Sequence, residues 1–110
     1  MSRFIEIRAY DLRPGTRAEF HRLVLAESLP MLLRWDVDVV AFGPSRHDDD
    51  SYFLIRSYAS LEERQRSQDA FYESEEWRQG PREAIVSCIV SDISVVREVD
   101  SDTLDTLRRI

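Results

Sequence analysis

The chain has 110 residues and a formal net charge of −6, from 15 basic and 21 acidic side chains. That length fits one domain able to bury roughly two thirds of its unfolded surface, and the acidic balance argues against a sequence-independent grip on nucleic-acid phosphates. Its 43% apolar content is too high for a disordered chain, and no apolar run approaches the roughly 20 residues a membrane helix needs.

Phe4 to Leu12 alternates, with Ile5, Ile7 and Ala9 on one side and Glu6, Arg8 and Tyr10 on the other. This is the pattern of a half-buried strand, and Arg13-Pro14-Gly15 ends it. From Thr16 to about Trp35 the apolar residues Phe20, Leu23, Val24 and Met31 recur at helical steps. Pro30 lacks an N–H and clashes with the turn before it, so a kink or a restarted segment is expected there, with Ser28 placed to recap it.

Val37 to Pro44 reads as a second strand and Ser51 to Tyr58 as a third, joined by the polar connection His47-Asp48-Asp49-Asp50. A second helix is expected from Leu61 to about Phe71. A short segment follows over Glu73 to Gln79, and a further helical turn runs from Gly80-Pro81 to Val86. Ser91 to Val99 gives the fourth strand, and residues 100–110 form either a frayed tail or a short helix on Leu104, Leu107 and Ile110. The order β-α-β-β-α-β defines a ferredoxin-like α+β domain. Right-handed crossovers then favour a four-stranded antiparallel sheet in the order 4-1-3-2.

One phrase occurs twice, as Ile7-Arg8-Ala9-Tyr10 and Ile55-Arg56-Ser57-Tyr58. Each copy precedes a helix start with capping-box chemistry, Thr16 to Glu19 and Ser60 to Glu63. In the 4-1-3-2 order both copies fall on the central strands, related by a pseudo-twofold axis. Residues two apart in a strand share a face, so Arg8 and Tyr10, and likewise Arg56 and Tyr58, project together. The opposite face, with Ile5, Ile7, Phe53 and Ile55, is the natural seat for the helices. The Arg/Tyr face then looks away from them, or lines a cavity beneath them. Two nearby guanidiniums repel unless an anion sits among them. Glu6, with Glu98 of strand 4 as a second carboxylate, fits a protein-only ion network, the commoner arrangement, and a pocket for a small anionic or carbonyl ligand is the alternative. A sheet bare on one face is seldom stable alone, which predicts a homodimer packed sheet against sheet.

Metal chemistry needs clustered ligands, and His21 and His47 lie on a helix and a hairpin, so no metal is expected. The region around His47 reads as a polar turn and His21 as a surface residue. Nucleophile elbows, phosphate loops and dinucleotide-binding glycine patterns are absent, and no organic cofactor is implied. Cys88 is the only cysteine, which suits a reducing cytoplasm and a buried, inert thiol. No basic segment leading into an apolar one opens the chain. Every basic residue is Arg, and Lys and Asn are absent, a bias expected of a GC-rich bacterial genome. Trp35, Phe42, Tyr52, Tyr72 and Trp77 offer aromatic surface, either as core or against a planar ligand.

Several short stretches together resemble one known family. They are Glu6-Ile7-Arg8-Ala9-Tyr10 with Pro14-Gly15, then Glu19-Phe20, Leu29-Pro30 and Ala41-Phe42. Tyr58-Ala59-Ser60-Leu61 with Arg64, and Glu76-Trp77, complete the set. Over residues 3–99 the chain is similar to NIPSNAP-like members of the dimeric α/β-barrel superfamily. The resemblance implies a ferredoxin-like protomer and a dimer whose sheets form a barrel. The superfamily includes cofactor-free oxygenases acting on aromatic polyketides, small isomerases and dehydratases, haem enzymes and ligand-binding proteins, so fold alone does not choose a reaction. Many relatives carry His where this chain has Glu27, and His-Gly where it has Trp35-Asp36. Glu27 is then either a substitute acid or base, or a surface carboxylate.

Two functions follow. One is a homodimeric binding or assembly module whose Arg/Tyr face cements the dimer. The other is a cofactor-independent enzyme, of oxygenase or isomerase type, acting on a hydrophobic carbonyl or phenol. There Arg8 or Arg56 would stabilise an enolate or phenolate, and Tyr10, Tyr58 or Glu27 would move the proton. The candidate ligand-binding residues are Arg8, Tyr10, Glu27, Phe42, Arg56, Tyr58 and Trp77. Expected partners are a second copy of the chain and a small hydrophobic or anionic molecule, not nucleic acid or membrane.

Overall fold

A computed structural model describes residues 1–110. Strands β1 (Ser2–Leu12), β2 (Asp38–Pro44), β3 (Ser51–Tyr58) and β4 (Ile89–Asp100) form one antiparallel sheet in the order β2-β3-β1-β4, the 4-1-3-2 order read from its other edge. The fold is ferredoxin-like. At its centre Ile7 faces Ile55, so the pseudo-twofold axis passes between the two copies of the repeated phrase. Across the pair Glu6 lies opposite Arg56, and Tyr10 opposite Tyr52.

Between β1 and β2 lie α1 (Arg17–Leu23), a π-helical segment (Val24–Ser28) and α2 (Leu29–Arg34). Pro14 and Gly15 make the entry turn. Thr16 N–H returns to Arg13 C=O at 3.1 Å, and Gly15 sits at φ 81°, the type II geometry with Pro before Gly. The expected break before Pro30 is the π turn, in which Leu29 N–H reaches Val24 C=O. Ser28 stays helical at φ −66° and makes no side-chain cap, so the wide turn and not a new cap accommodates the proline. The capping boxes also diverge. Ser60 accepts from Glu63 N–H, whereas the Thr16 hydroxyl donates to Arg13 C=O and caps nothing.

Helices α3 (Leu61–Glu73), α4 (Glu75–Gln79) and α5 (Arg82–Ser87) connect β3 to β4. Gly80 caps the end of α4, where a Cβ would lie 2.3 Å from the Glu76 carbonyl oxygen, so the position requires glycine. No helix is long and apolar enough to cross a membrane.

The layer order differs from one expectation. Helices α1 to α5 cover the face that carries Glu6, Arg8, Tyr10, Tyr52 and Arg56, where Phe20, Leu32, Phe71 and Trp77 build the main core. The Ile5, Ile7, Phe53 and Ile55 face lies on the opposite side. Only α6 (Ser101–Leu107) touches it, through Leu104 in a small cluster with Ile5, Val40 and Ile55. Alternation identifies residues that share a face but not the layer each face meets. Here the buried Glu6 decides, because its partners Arg64 and Gln68 come from α3. The Arg/Tyr face therefore does not cement two sheets together.

Beyond α6 the Ile face is open. Ile93 and Val95 on β4 are 68% and 51% exposed, beside the half-buried Ile7 and Phe53.

Candidate functional site

Under the helices, Glu6 is fully buried and saturated with donors. Its Oε1 accepts from Arg56 Nη2 and lies 3.4 Å from Arg8 Nη2. Its Oε2 accepts from Arg64 Nε at 2.7 Å and Gln68 Nε2 at 2.8 Å. Burial alone would raise this carboxyl, but Arg56, the Gln68 hydrogen bond and Arg8 outweigh it and hold the group down at about 2. One carboxylate thus faces three guanidiniums, leaving an excess of positive charge. Glu98 does not join them; it accepts from Ser2 at the far end of the sheet.

Tyr72 on α3 collects the surplus donors. Its hydroxyl oxygen accepts from Arg56 Nη1 at 2.9 Å and from Arg8 Nη1 at 3.4 Å. With both lone-pair directions engaged, the Tyr72 O–H is left to donate, and donation by a hydroxyl polarised in this way is strengthened. Arg56 Nε is buried with no partner of its own.

Beside this network lies an apolar cavity of about 50 Å³ between the sheet and the helices, walled in part by Tyr10, Phe20, Phe42, Tyr52, Tyr72 and Trp77. An outer cavity of about 270 Å³ shares Tyr10, Tyr72, Trp77 and Ile85 with it and adds Arg8, Arg82 and Asp92. Burial pushes the Tyr10 phenol up to about 12 and also raises Tyr52, so both remain protonated near neutrality. The arrangement can hold a small molecule with one apolar part, give it a hydroxyl donor and set a cation beside it.

Arg8, Tyr10, Phe42 and Trp77 come together at these cavities. Arg56 and Tyr58 border neither cavity. Arg56 is sealed behind Tyr72, and the buried Tyr58 hydroxyl accepts from Gln68 at 3.2 Å. Glu27 is exposed on the π segment, while Ser28, one residue on, reaches the inner cavity.

Three residues of the site are not singled out by the sequence. Tyr72 was visible only as one aromatic among five, and Arg64 with Gln68, four apart on a helix poor in apolar residues, was the available signal for a polar seam facing inward. His21 is not a plain surface residue, since its Nδ1 lies 2.7 Å from the buried Tyr52 hydroxyl. His47 pairs with Ser45 and Asp48 within its turn, and no group of three or more potential metal ligands comes together.

The NIPSNAP family model matches residues 5–100. The chain belongs to the NIPSNAP family. Among solved structures, a NIPSNAP-like domain protein from Burkholderia xenovorans superposes with a TM-score of 0.82 at 21% identity, covering 90% of this chain and 86% of that one. A NIPSNAP family protein from Agrobacterium tumefaciens gives 0.81 at 18% identity, over 90% and 87% of the two chains. A Nitrosomonas europaea protein named for antibiotic biosynthesis monooxygenases gives 0.68 at 10% identity, over 90% and 91%. At these identities the NIPSNAP chain shares a fold with all three. None of the curated proteins matches it.

Proposed function

We propose that this NIPSNAP protein is a homodimeric binding module of the bacterial cytoplasm that takes a small hydrophobic or anionic molecule between its sheet and its helices. The observation that carries the reading is the Tyr72 hydroxyl, held by Arg8 and Arg56 at the border of an apolar cavity. A purely structural network has no need of surplus cations next to apolar space, whereas a ligand site combines apolar walls with a few placed polar groups. The open Ile face supports the dimer, because exposed aliphatic side chains on a sheet are stabilised by a second layer. A single buried thiol, Cys88, suits a reducing compartment.

The test is a thermal-shift and tryptophan-fluorescence screen of aromatic acids, phenols and quinones, with Trp77 in the cavity wall as reporter. Saturable stabilisation by at least one class is expected. A folded protein that none of them shifts would overturn the reading.

A second reading, a cofactor-independent enzyme acting on a carbonyl or phenol, is favoured by the same Tyr72 donor. Arg8 and Tyr72 would stabilise the enolate or phenolate oxygen, since Arg56 is already committed to Glu6. Proton exchange into an enolisable ketone in D2O, faster with wild type than with Tyr72→Phe and followed by NMR, separates enzyme from module.

A further inference from the structure

The outer cavity is asymmetric. Along one side run Tyr10, Tyr72, Trp77 and Ile85, and Tyr72 and Trp77 stand edge to face with centroids 5.4 Å apart. Against them are set two guanidiniums, Arg8 and Arg82, and one carboxylate, Asp92.

Neither cation is fully neutralised. Arg8 has only a 3.4 Å contact with Glu6, whose same oxygen accepts from Arg56 more closely, and Arg8's remaining donors go to the neutral Ser94 and Tyr72 hydroxyls. Arg82 makes no ion pair or side-chain hydrogen bond and stands at the start of α5. Arg8 cannot retreat, since its backbone is fixed on β1 between β3 and the edge strand β4. Its side chain is 19% exposed, so part of the guanidinium stays within reach of solvent.

Resting on the binding reading above, we propose that the ligand is a monocarboxylic acid with a compact apolar body. The carboxylate lies between Arg8 and Arg82, and the body points past Tyr72 and Trp77 toward the inner cavity. Three features select this class. Planar guanidiniums match carboxylate geometry. Asp92 at the same cleft tempers the positive charge and repels a second negative charge, which favours a monoanion. Size is compatible with such a body: the outer space of about 270 Å³ accommodates a ring or a short alkyl chain, and the inner one of about 50 Å³ only a small apolar tip. The Tyr72 hydroxyl supplies the third donor.

The experiment titrates wild type, Arg82→Gln and Arg8→Gln with benzoate, trans-cinnamate and hexanoate, each against its own neutral amide, by calorimetry at pH 7.5 and low salt. At least one acid is expected to bind wild type tenfold or more tighter than its amide. That ratio should fall about fivefold in Arg82→Gln, an exposed position outside the Glu6 network, and further in Arg8→Gln. It should also shrink as salt is raised. Acids and amides that bind equally well overturn the carboxylate proposal and leave the binding module standing. An acid preference untouched by Arg82→Gln overturns it too, by placing the anion elsewhere. If no acid and no amide binds, the carboxylate proposal falls, and the binding module falls with it only when phenols and quinones also leave the protein unshifted.

Discussion

Glu6 of β1 faces Arg56 of β3 directly across the sheet, and the pair is the most deeply buried charge in the molecule, at 0% and 1% exposure. It joins the two central strands to α3, because the same carboxylate receives Arg64 and Gln68. Removing one partner from such a pair leaves an uncompensated buried charge, which costs more than the pair contributes.

Glu6→Gln is therefore expected to cost about 3 kcal/mol or more in urea unfolding, through the stranded Arg56 and Arg64. Combining it with Arg56→Met should recover a good part of that loss, since an apolar replacement needs no counter-charge. A Glu6→Gln loss under 1 kcal/mol, or losses that simply add in the double variant, would contradict a coupled pair.

Acid should unfold the protein through the same group. A carboxyl held at about 2 when folded, against 4.5 when free, contributes stability that is complete above about pH 4.5 and is lost as pH falls toward 2. The contribution is on the order of 3 kcal/mol. Denaturation midpoints measured from pH 6 down to pH 2 should fall steeply below about 4.5 in wild type and more gently in Glu6→Gln. Parallel curves would place the acid sensitivity elsewhere.

Association can be tested on β4. Val95 is half exposed on the open Ile face, so Val95→Glu should leave the protomer folded. Light scattering at micromolar concentration is expected to give a dimer for wild type and a monomer for this variant. A wild-type monomer, or a Val95→Glu dimer, would remove the open face as the interface.

The end of α2 carries a mismatch that is easily relieved. Asp36 sits at φ 60°, its N–H bonded to Leu33 C=O, while Val37 N–H reaches Leu32 C=O. This is the helix-terminating arrangement that favours glycine at the position of Asp36. Asp36→Gly should raise stability by roughly 0.5 kcal/mol, the relief of a left-handed non-glycine residue less the added freedom of the unfolded chain. A loss of stability would reveal a role for the carboxylate that its surroundings do not show.

The strand order and the central place of the repeated phrase were legible because alternation, turn residues and crossover handedness act locally and agree. The side on which the helices pack was not. Ile5, Ile7 and Ile55 make as good a core face by hydropathy as Tyr10, Leu12 and Tyr52. What separates them is the demand of one buried carboxylate for donors that lie 58 and 62 residues away. Of the candidate site, Arg8, Tyr10, Phe42 and Trp77 could be chosen from strand phase and aromatic character. Tyr72 could not, since its importance comes from two arginines it meets only after folding. Glu27 stood out because many relatives carry His there, and the local helix geometry turns it to the surface.

That geometry has a consequence for the helix as a whole. In an unbroken α-helix, residue 27 stands seven positions and almost two full turns beyond Phe20, within about 20° of the same direction. A carboxylate would then be driven among the aromatic rings. The wider π turn advances less per residue, rotating Glu27 outward and Ser28 inward. Deleting one residue from Val24–Ser28 would restore the tighter winding, and the Pro30 ring would then collide with the carbonyl of the preceding turn. Proline and loosened coil thus hold each other in place, and the phase they set keeps a negative charge out of the aromatic chamber.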